Sequence, residues 1–224
     1  GAIEKNDREG LSPSVLYALA AVEEGCSFVN FTPSPGTDRP DLAQAAEEAG
    51  IVHVGKDGKT GETLLKTVLA PMFVMRNFRV LSWEGYNMLG NRDGLILDDP
   101  GSNAAKRANK DRVLRSIITD PDMHTRTRID YVPSLDDWKV AWDYIHFEGF
   151  LGTRMSMSFL WQGCDSMLAA PLVLDLVRFV AFEAARGGRG LQKQLAPFFK
   201  NPIGVDEHDF HAQFDALVDF YRNS

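Results

Sequence analysis

The densest chemistry in the chain lies in one block: Gly55-Lys56-Asp57-Gly58-Lys59-Thr60-Gly61-Glu62-Thr63. It follows a short apolar run, Ile51 to Val54, and opens a helical pattern from Leu64 to Met75. A strand, a tight polar turn and a helix start make an anion site, because the N–H groups of a first helical turn have no intrahelical acceptor. Lysines and aspartates return further on, in Gly90–Gly94 (GNRDG), Ala105–Lys110 (AKRANK), Leu135–Lys139 (LDDWK) and Gly163–Leu172 (GCDSMLAAPL). Lysines converging from distant segments on an anion site are the equipment for handling the oxygens of a phosphorylated substrate during reaction.

The block is not a nucleotide-triphosphate P-loop. That motif spaces its glycines as G-x-x-x-x-G-K-[ST]. Counting back from Gly58 puts His53 where the first glycine is required. The simpler anion site needs only the helix start and survives.

The elements that must position these residues change rhythm along the chain. Ser12–Glu24 reads as a helix with Pro13 at its first position, Cys26–Phe31 as a strand, Pro40–Ala49 as a helix stopped by Gly50, and Ile51–Val54 as a strand. That alternation belongs to a parallel α/β sheet. After Met75 come longer aromatic and β-branched runs, Arg79–Tyr86, Arg128–Val132, Lys139–Phe150 and Arg154–Trp161, expected to form a mainly antiparallel sheet. A helix over Asn103–Ile118 interrupts them, and helices over Ser166–Arg186, Leu191–Phe199 and Asp206–Tyr221 close the chain.

Composition narrows the classes. With 224 residues, 44% hydrophobic and 25% charged, the chain has ordinary globular proportions and room for one large domain or two small ones. A net charge of −7 is the wrong sign for a nucleic-acid binder. The most apolar stretch, Met167–Ala185, carries Asp175, Arg178 and Glu183, so it reads as a buried helix and no membrane association is expected. Cys26 and Cys164 sit in apolar surroundings and read as buried free thiols of a reducing, cytoplasmic compartment. The polar opening, Gly1–Gly10, leads at once into a helix start rather than reading as a secretion leader, and is expected to belong to a longer chain. His146 and Glu148 alternate on one strand face without a third ligand, so no metal site is assigned.

Six motifs, in order, resemble the myo-inositol-1-phosphate synthase family across about Ser12 to Pro202. GKDGKTGET is similar to the family's G-D-D-x-K-S-G-Q-T, and GYNMLGNRDG to S-Y-N-H-L-G-N-N-D-G. AKRANK is similar to S-K-x-x-S-K, LDDWKVAWD to V-G-D-S-K-x-A-x-D, GCDSMLAAPLVLDL to E-D-S-L-L-A-T-P-L-x-x-D-L, and LAPFFKNPI to Y-W-L-K-A-P. The resemblance implies an NAD-binding Rossmann domain joined to a catalytic domain whose sheet builds a homo-tetramer. It divides this chain into the remainder of the Rossmann domain (1–60), an α+β catalytic and oligomerisation domain (61–164), and returning helices (165–224). The implied reaction cyclises glucose 6-phosphate to inositol phosphate by oxidation at C5, enolisation, aldol closure and reduction. The glycine-rich dinucleotide fingerprint lies upstream in the family and is not in these residues.

Roles follow from the resemblance position by position. Lys106 matches the lysine that moves protons or stabilises the enolate, and Lys110 one contacting phosphate or the reacting carbonyl. Lys139 grips phosphate or sugar oxygens with Asp137 fixing it, and Lys200 contacts the C1 or C5 oxygen. Thr32, Ser34, Asp57, Asp93 and Asp165 fall near the cofactor. Thr60, Gly61, Glu62, Thr63 and Asn91 are expected to bind substrate. On spacing alone, Lys106 and Lys110 make a solvated basic face and Asp93 and Asp165 are turn or cap residues. Several neighbours depart from the family pattern: Phe31 stands for a glycine, Glu62 for a glutamine, Ala105 and Asn109 for serines, Asp136 for a glycine and Trp138 for a serine. Those departures leave open a paralogous NAD-dependent sugar-phosphate enzyme with another substrate. A non-catalytic phosphate-binding oligomerisation module is the non-enzymatic alternative.

Overall fold

A computed structural model describes residues 11–97 and 113–223. They divide into two units, one made of Gly1–Lys59, Ala170–Asp206 and Gln213–Ser224, the other of Thr60–Ala169 and Glu207–Ala212.

The first unit carries a three-stranded parallel sheet in the order β1 (Phe28–Asn30), β2 (Val52–Gly55), β7 (Gly190–Leu191). Helix α1 (Pro13–Glu23) starts at a proline, whose fixed φ suits a first turn. Helix α2 (Pro40–Ala49) ends at Gly50, which adopts φ 64° and ψ 25°, the left-handed stop that a side chain resists. Val52 and Val54 of β2 pack with Leu176, Val180, Leu195, Phe199 and Leu217 into one core. β7 is a departure from expectation: Leu191–Phe199 is not one helix. Gly190 and Leu191 pair with Val52 and His53, and a 3₁₀ stretch follows over Lys193–Phe198. Pairing with a buried strand overrode a weak helical pattern that contains Pro197.

The second unit is built on α3 (Glu62–Met75) and a four-stranded sheet ordered β4-β3-β5-β6: β3 (Arg79–Leu89), β4 (His124–Tyr131), β5 (Trp138–Glu148) and β6 (Arg154–Cys164). β5 is antiparallel to both β3 and β6, but β3 and β4 run parallel, so the sheet is mixed. The long crossover between β3 and β4, which includes α4 (Arg92–Leu97) and α5 (helical over 113–117), permits the parallel pair; hairpin-length links do not. Alternation along β5 buries Ala141, Asp143, Ile145 and Phe147 on one face and exposes Trp142 and Tyr144 on the other. Ala70 and Phe73 of α3 pack with Val80, Trp83, Ile145 and Phe147, the rings of Phe73 and Phe147 meeting edge-on at 4.9 Å. The apolar end of this inner face is thus beside the C-terminal half of α3, and its polar end, toward Lys139, is beside the helix start.

Helix α6 (Asp165–Ala185) contributes its first turn to the second unit and the rest to the first. Helix α7 (Phe210–Arg222) begins later than the sequence pattern placed it. Both cysteines are free, but neither is buried as expected: Cys26 is exposed and Cys164 half-buried.

Candidate functional site

In the first unit the turn leaving β2 is held from both sides. Asp57 takes φ 62° and donates its N–H to the Thr32 carbonyl at 2.9 Å, while Gly58 donates to that of Phe31 at 3.0 Å. On the other side, Lys200 donates its backbone N–H to Asp57 O and Lys59 donates to Phe198 O at 2.9 Å. Lys200 Nζ then reaches Asp57 Oδ1 at 3.0 Å, and Asn201 Nδ2 donates to Asp57 Oδ2 at 3.4 Å. Two expected site residues 143 positions apart therefore meet. Phe31, the large residue in a small residue's place, lies over Gly58, where a Cβ would come 2.1 Å from its ring. Bulk gained at Phe31 is accommodated by glycine opposite. The Thr32 hydroxyl donates to Asn30 Oδ1 at 2.8 Å, and Asn30 Nδ2 donates to the Ser34 carbonyl, leaving the exposed Ser34 at the C-terminal end of β1.

Lys59 is 2% exposed, and burial lowers its pKa from 10.5 to about 8. Its ammonium donates to Gln213 Oε1 at 2.9 Å.

In the second unit Thr60, Lys139 and Asp165 converge. Lys139 Nζ donates to Asp165 Oδ2 at 3.3 Å, and Thr60 Oγ1 to Asp165 Oδ1 at 3.4 Å. The partner of Lys139 is thus Asp165, the first residue of α6, not the adjacent Asp137. Asp137 accepts instead from Ser166 Oγ, from Cys164 Sγ at 3.0 Å and from Asn91 Nδ2 at 3.3 Å, and these bonds hold its carboxyl below the usual range. Asn91 also accepts the Gly94 N–H at 3.2 Å at the start of α4. Lys106 and Lys110, and the side chain of Asp93, lie outside the described residues.

Gly61 is the N-cap of α3 and provides no side-chain cap to the N–H groups of the first turn. Thr63, in the first turn, is buried. Glu62 turns its carboxylate inward to Lys66 Nζ at 2.7 Å; Lys66 also meets Asp143 Oδ1 at 3.4 Å, and Trp83 Nε1 donates to Asp143 at 2.7 Å. With its side chain so engaged, Glu62 has its backbone N–H, not its carboxylate, at the anion site. Burial alone would lower the Lys66 pKa, but the two carboxylates hold it above the ordinary value. Gly85 leaves room for the triad: a Cβ there would lie 3.0 Å from Glu62 Oε1 and 3.2 Å from Lys66 Nζ. The sequence signal for Lys66 was its position four after Glu62, on the same helix face.

Two further polar groups lie at the same end of the inner sheet face. Asn87 is fully buried, and neither its Nδ2 nor its Oδ1 has a hydrogen-bond partner among the described residues; Trp161 Nε1 is likewise buried without one. Both pair with Ala141, from opposite sides, so they share one row across three strands. A buried donor or acceptor left unmatched costs about 1–3 kcal/mol, which marks such groups for attention.

A sequence profile described as Myo-inositol-1-phosphate synthase matches residues 61–166, which hold the Lys139–Asp165 pair and the start of α3. Inositol-3-phosphate synthase 1 of Bacteroides thetaiotaomicron is 39% identical over 233 aligned positions, spanning 99% of this chain and 54% of that protein. A crystal structure of a myo-inositol-1-phosphate synthase-related protein from Thermotoga maritima superposes with a TM-score of 0.86 at 28% identity, over 98% of this chain and 59% of that one. Inositol-3-phosphate synthase from Caenorhabditis elegans gives 0.82 at 27% identity, over 96% and 46%. The chain spans about half the length of these relatives.

Proposed function

The chain belongs to the myo-inositol-1-phosphate synthase family, and from that premise we propose that it forms the catalytic portion of an enzyme converting D-glucose 6-phosphate to 1D-myo-inositol 3-phosphate with NAD. The observation that carries the reading is the set of donors at the start of α3: Thr60, the uncapped first turn and the Lys139 ammonium steadied by Asp165. A helix N-terminus beside an ammonium is suited to a phosphate monoester. Lys139 orients the phosphate-bearing end of the sugar, with Thr60, Gly61 and Thr63 contributing hydroxyl and backbone donors. Lys106 moves the proton or stabilises the enolate, Lys110 contacts the phosphate or the reacting carbonyl, and Lys200, steadied by Asp57, contacts the C1 or C5 oxygen. Thr32, Ser34 and Asp57 lie at the C-terminal ends of parallel strands, where nucleotides bind in such sheets, so they fit the rim of an NAD site. Bound NAD supplies the hydride acceptor and donor at C5.

A homo-tetramer is part of the proposal. The outward sheet face presents Trp142 and Tyr144, stacked at 6.1 Å, beside exposed Leu160, a patch of interface character. Among the described residues no helix is long and apolar enough to cross a membrane; a cytoplasmic location belongs to the same proposal.

The test is inositol monophosphate formation from glucose 6-phosphate and NAD, by this chain and by the chain extended to the length of its relatives. Lys106→Ala and Lys139→Ala should each lower turnover by at least about a hundredfold in the active form, as removal of one electrostatic contact to a developing oxyanion does. Near-normal turnover in both variants overturns the assignment of the lysines. NAD binding without product from glucose 6-phosphate moves the reading to a paralogous sugar-phosphate enzyme.

A further inference from the structure

Trp161 has no counterpart among the residues that the sequence motifs single out, yet its indole N–H occupies a distinctive place. Nε1 is buried, and no acceptor reaches it among the described residues. Two glycines flank it. A Cβ on Gly61, the N-cap of α3, would lie 2.9 Å from Nε1, and a Cβ on Gly163 would lie 3.5 Å away. Gly163 pairs with Lys139 across β5 and β6, and Trp161 pairs with Ala141, two residues along the same face of β5. The indole nitrogen therefore lies at the start of α3, toward the Lys139 end of β5, in space that side chains at 61 and 163 would fill. The fully buried Asn87 amide, also unmatched among the described residues, stands on the same row.

The chemistry of the neighbours selects the ligand atom. An indole N–H only donates, the first turn of a helix only donates, and an ammonium only donates. The charged acceptor among the described neighbours, the Asp165 carboxylate, is bonded to Lys139 and Thr60. A ligand atom meeting this set must be an acceptor with negative charge. We propose that the Trp161 indole N–H is a substrate-binding donor that hydrogen-bonds a phosphoryl oxygen of a sugar phosphate monoester seated at the start of α3. This inference rests on the sugar-phosphate reading above and adds a recognition group to it. Because the group donates a single directed bond, it fixes the rotation of the phosphate rather than its charge, and so orients the sugar beyond it.

The test uses the 224-residue chain labelled with ¹⁵N at tryptophan, giving an indole N–H resonance for each of Trp83, Trp138, Trp142 and Trp161. Trp138→Phe and Trp142→Phe, at exposed positions, and Trp161→Phe assign the signals. Inorganic phosphate, glucose 6-phosphate and glucose are titrated in turn. The Trp161 signal is expected to move downfield with phosphate and with glucose 6-phosphate and to stay in place with glucose. Trp161→Phe, which keeps a ring but removes the donor, should bind phosphate about tenfold more weakly, the equivalent of about 1.4 kcal/mol. Its melting temperature should be unchanged or raised, since an unmatched donor has gone. If the wild-type chain binds phosphate while the Trp161 signal stays still and Trp161→Phe binds within twofold of it, the assignment of Trp161 falls and the sugar-phosphate reading stands. If neither this chain nor the chain extended to the length of its relatives binds phosphate or glucose 6-phosphate, both fall together. The wild-type titration decides the matter even where Trp161→Phe folds poorly.

Discussion

Lys59 is predicted to make this protein more stable in alkali than at neutrality, and Lys59→Met to abolish that trend. The ammonium is 2% exposed, and its pKa falls from 10.5 to about 8 through burial. A folded-state pKa below the unfolded value means that the unfolded chain holds the extra proton between pH 8 and 10.5. Stability from this group is complete above pH 10.5 and is lost as pH falls through 8. The gap corresponds to about 3 kcal/mol at pH 7, still about 2 at pH 9 and about 1 at pH 10, at 1.36 kcal/mol per pH unit. Urea unfolding of wild type and Lys59→Met at pH 7, 8, 9 and 10 isolates the effect, because other titrating groups cancel in the difference. Loss of the bond to Gln213 adds an offset that does not vary with pH across this window. Far-UV circular dichroism is the appropriate signal, since all four tryptophans lie in the other unit. The variant's advantage over wild type should shrink by about 2–3 kcal/mol from pH 7 to 10. A difference flat to within about 0.5 kcal/mol would refute the reasoning, because it would mean that Lys59 keeps an ordinary pKa in the folded chain.

Three other perturbations are informative. Lys66→Met, which withdraws the ammonium between Glu62 and Asp143, should cost about 3–5 kcal/mol, read by tryptophan fluorescence in urea because Trp83 bonds to Asp143; a loss below about 1 kcal/mol contradicts a buried ion triad. Gly58→Ala should cost about 1–3 kcal/mol by forcing a methyl into the Phe31 ring, and the double variant with Phe31→Ala should lose less than the two singles combined; simple additivity in thermal melts would show that the ring is not the obstacle. Trp142→Arg, in the centre of the exposed sheet face, should shift sedimentation from the proposed tetramer to smaller species; an unchanged sedimentation coefficient removes that face from the proposed interface.

The sequence pattern located most elements because their periodicity is strong, as in the alternating β5 and the helix after Thr63. It failed where long-range pairing decides the outcome. Nothing local in Gly190-Leu191 distinguishes a strand from a helix start; the vacancy beside Val52 and His53 does. The parallel pairing of β3 with β4 likewise depends on a crossover, not on either strand's composition. At the candidate site, the motifs brought forward Lys139, Asp165, Thr60, Asp57 and Lys200, and the pairs Lys139–Asp165 and Lys200–Asp57 emerged only in three dimensions. The resemblance set Asp137 beside Lys139, but the carboxylate that reaches the ammonium is that of Asp165, while Asp137 is taken up by Ser166 and Cys164. Trp161 lay outside every motif and Asn87 stood within GYNMLGNRDG without a role, since an alternating strand gives no sign of which inward residue will lack a partner.

The hydrogen bond from Thr60 to Asp165 spans 105 positions, and it joins the first residue of the second unit to a residue near the end of that unit's main segment. Between them the chain makes a closed excursion, returning almost to where it left. Holding the ends of such a loop has a topological value of its own: a covalent tie across about 100 residues is worth about 4.7 kcal/mol in lost unfolded-state freedom. A single hydrogen bond is a weak version of that tie. A phosphate bridging Thr60 and Lys139, whose ammonium already grips Asp165, would strengthen it without any covalent bond. Substrate would then serve as a removable clasp on the loop, and the resistance of the whole excursion to opening would rise and fall with occupancy.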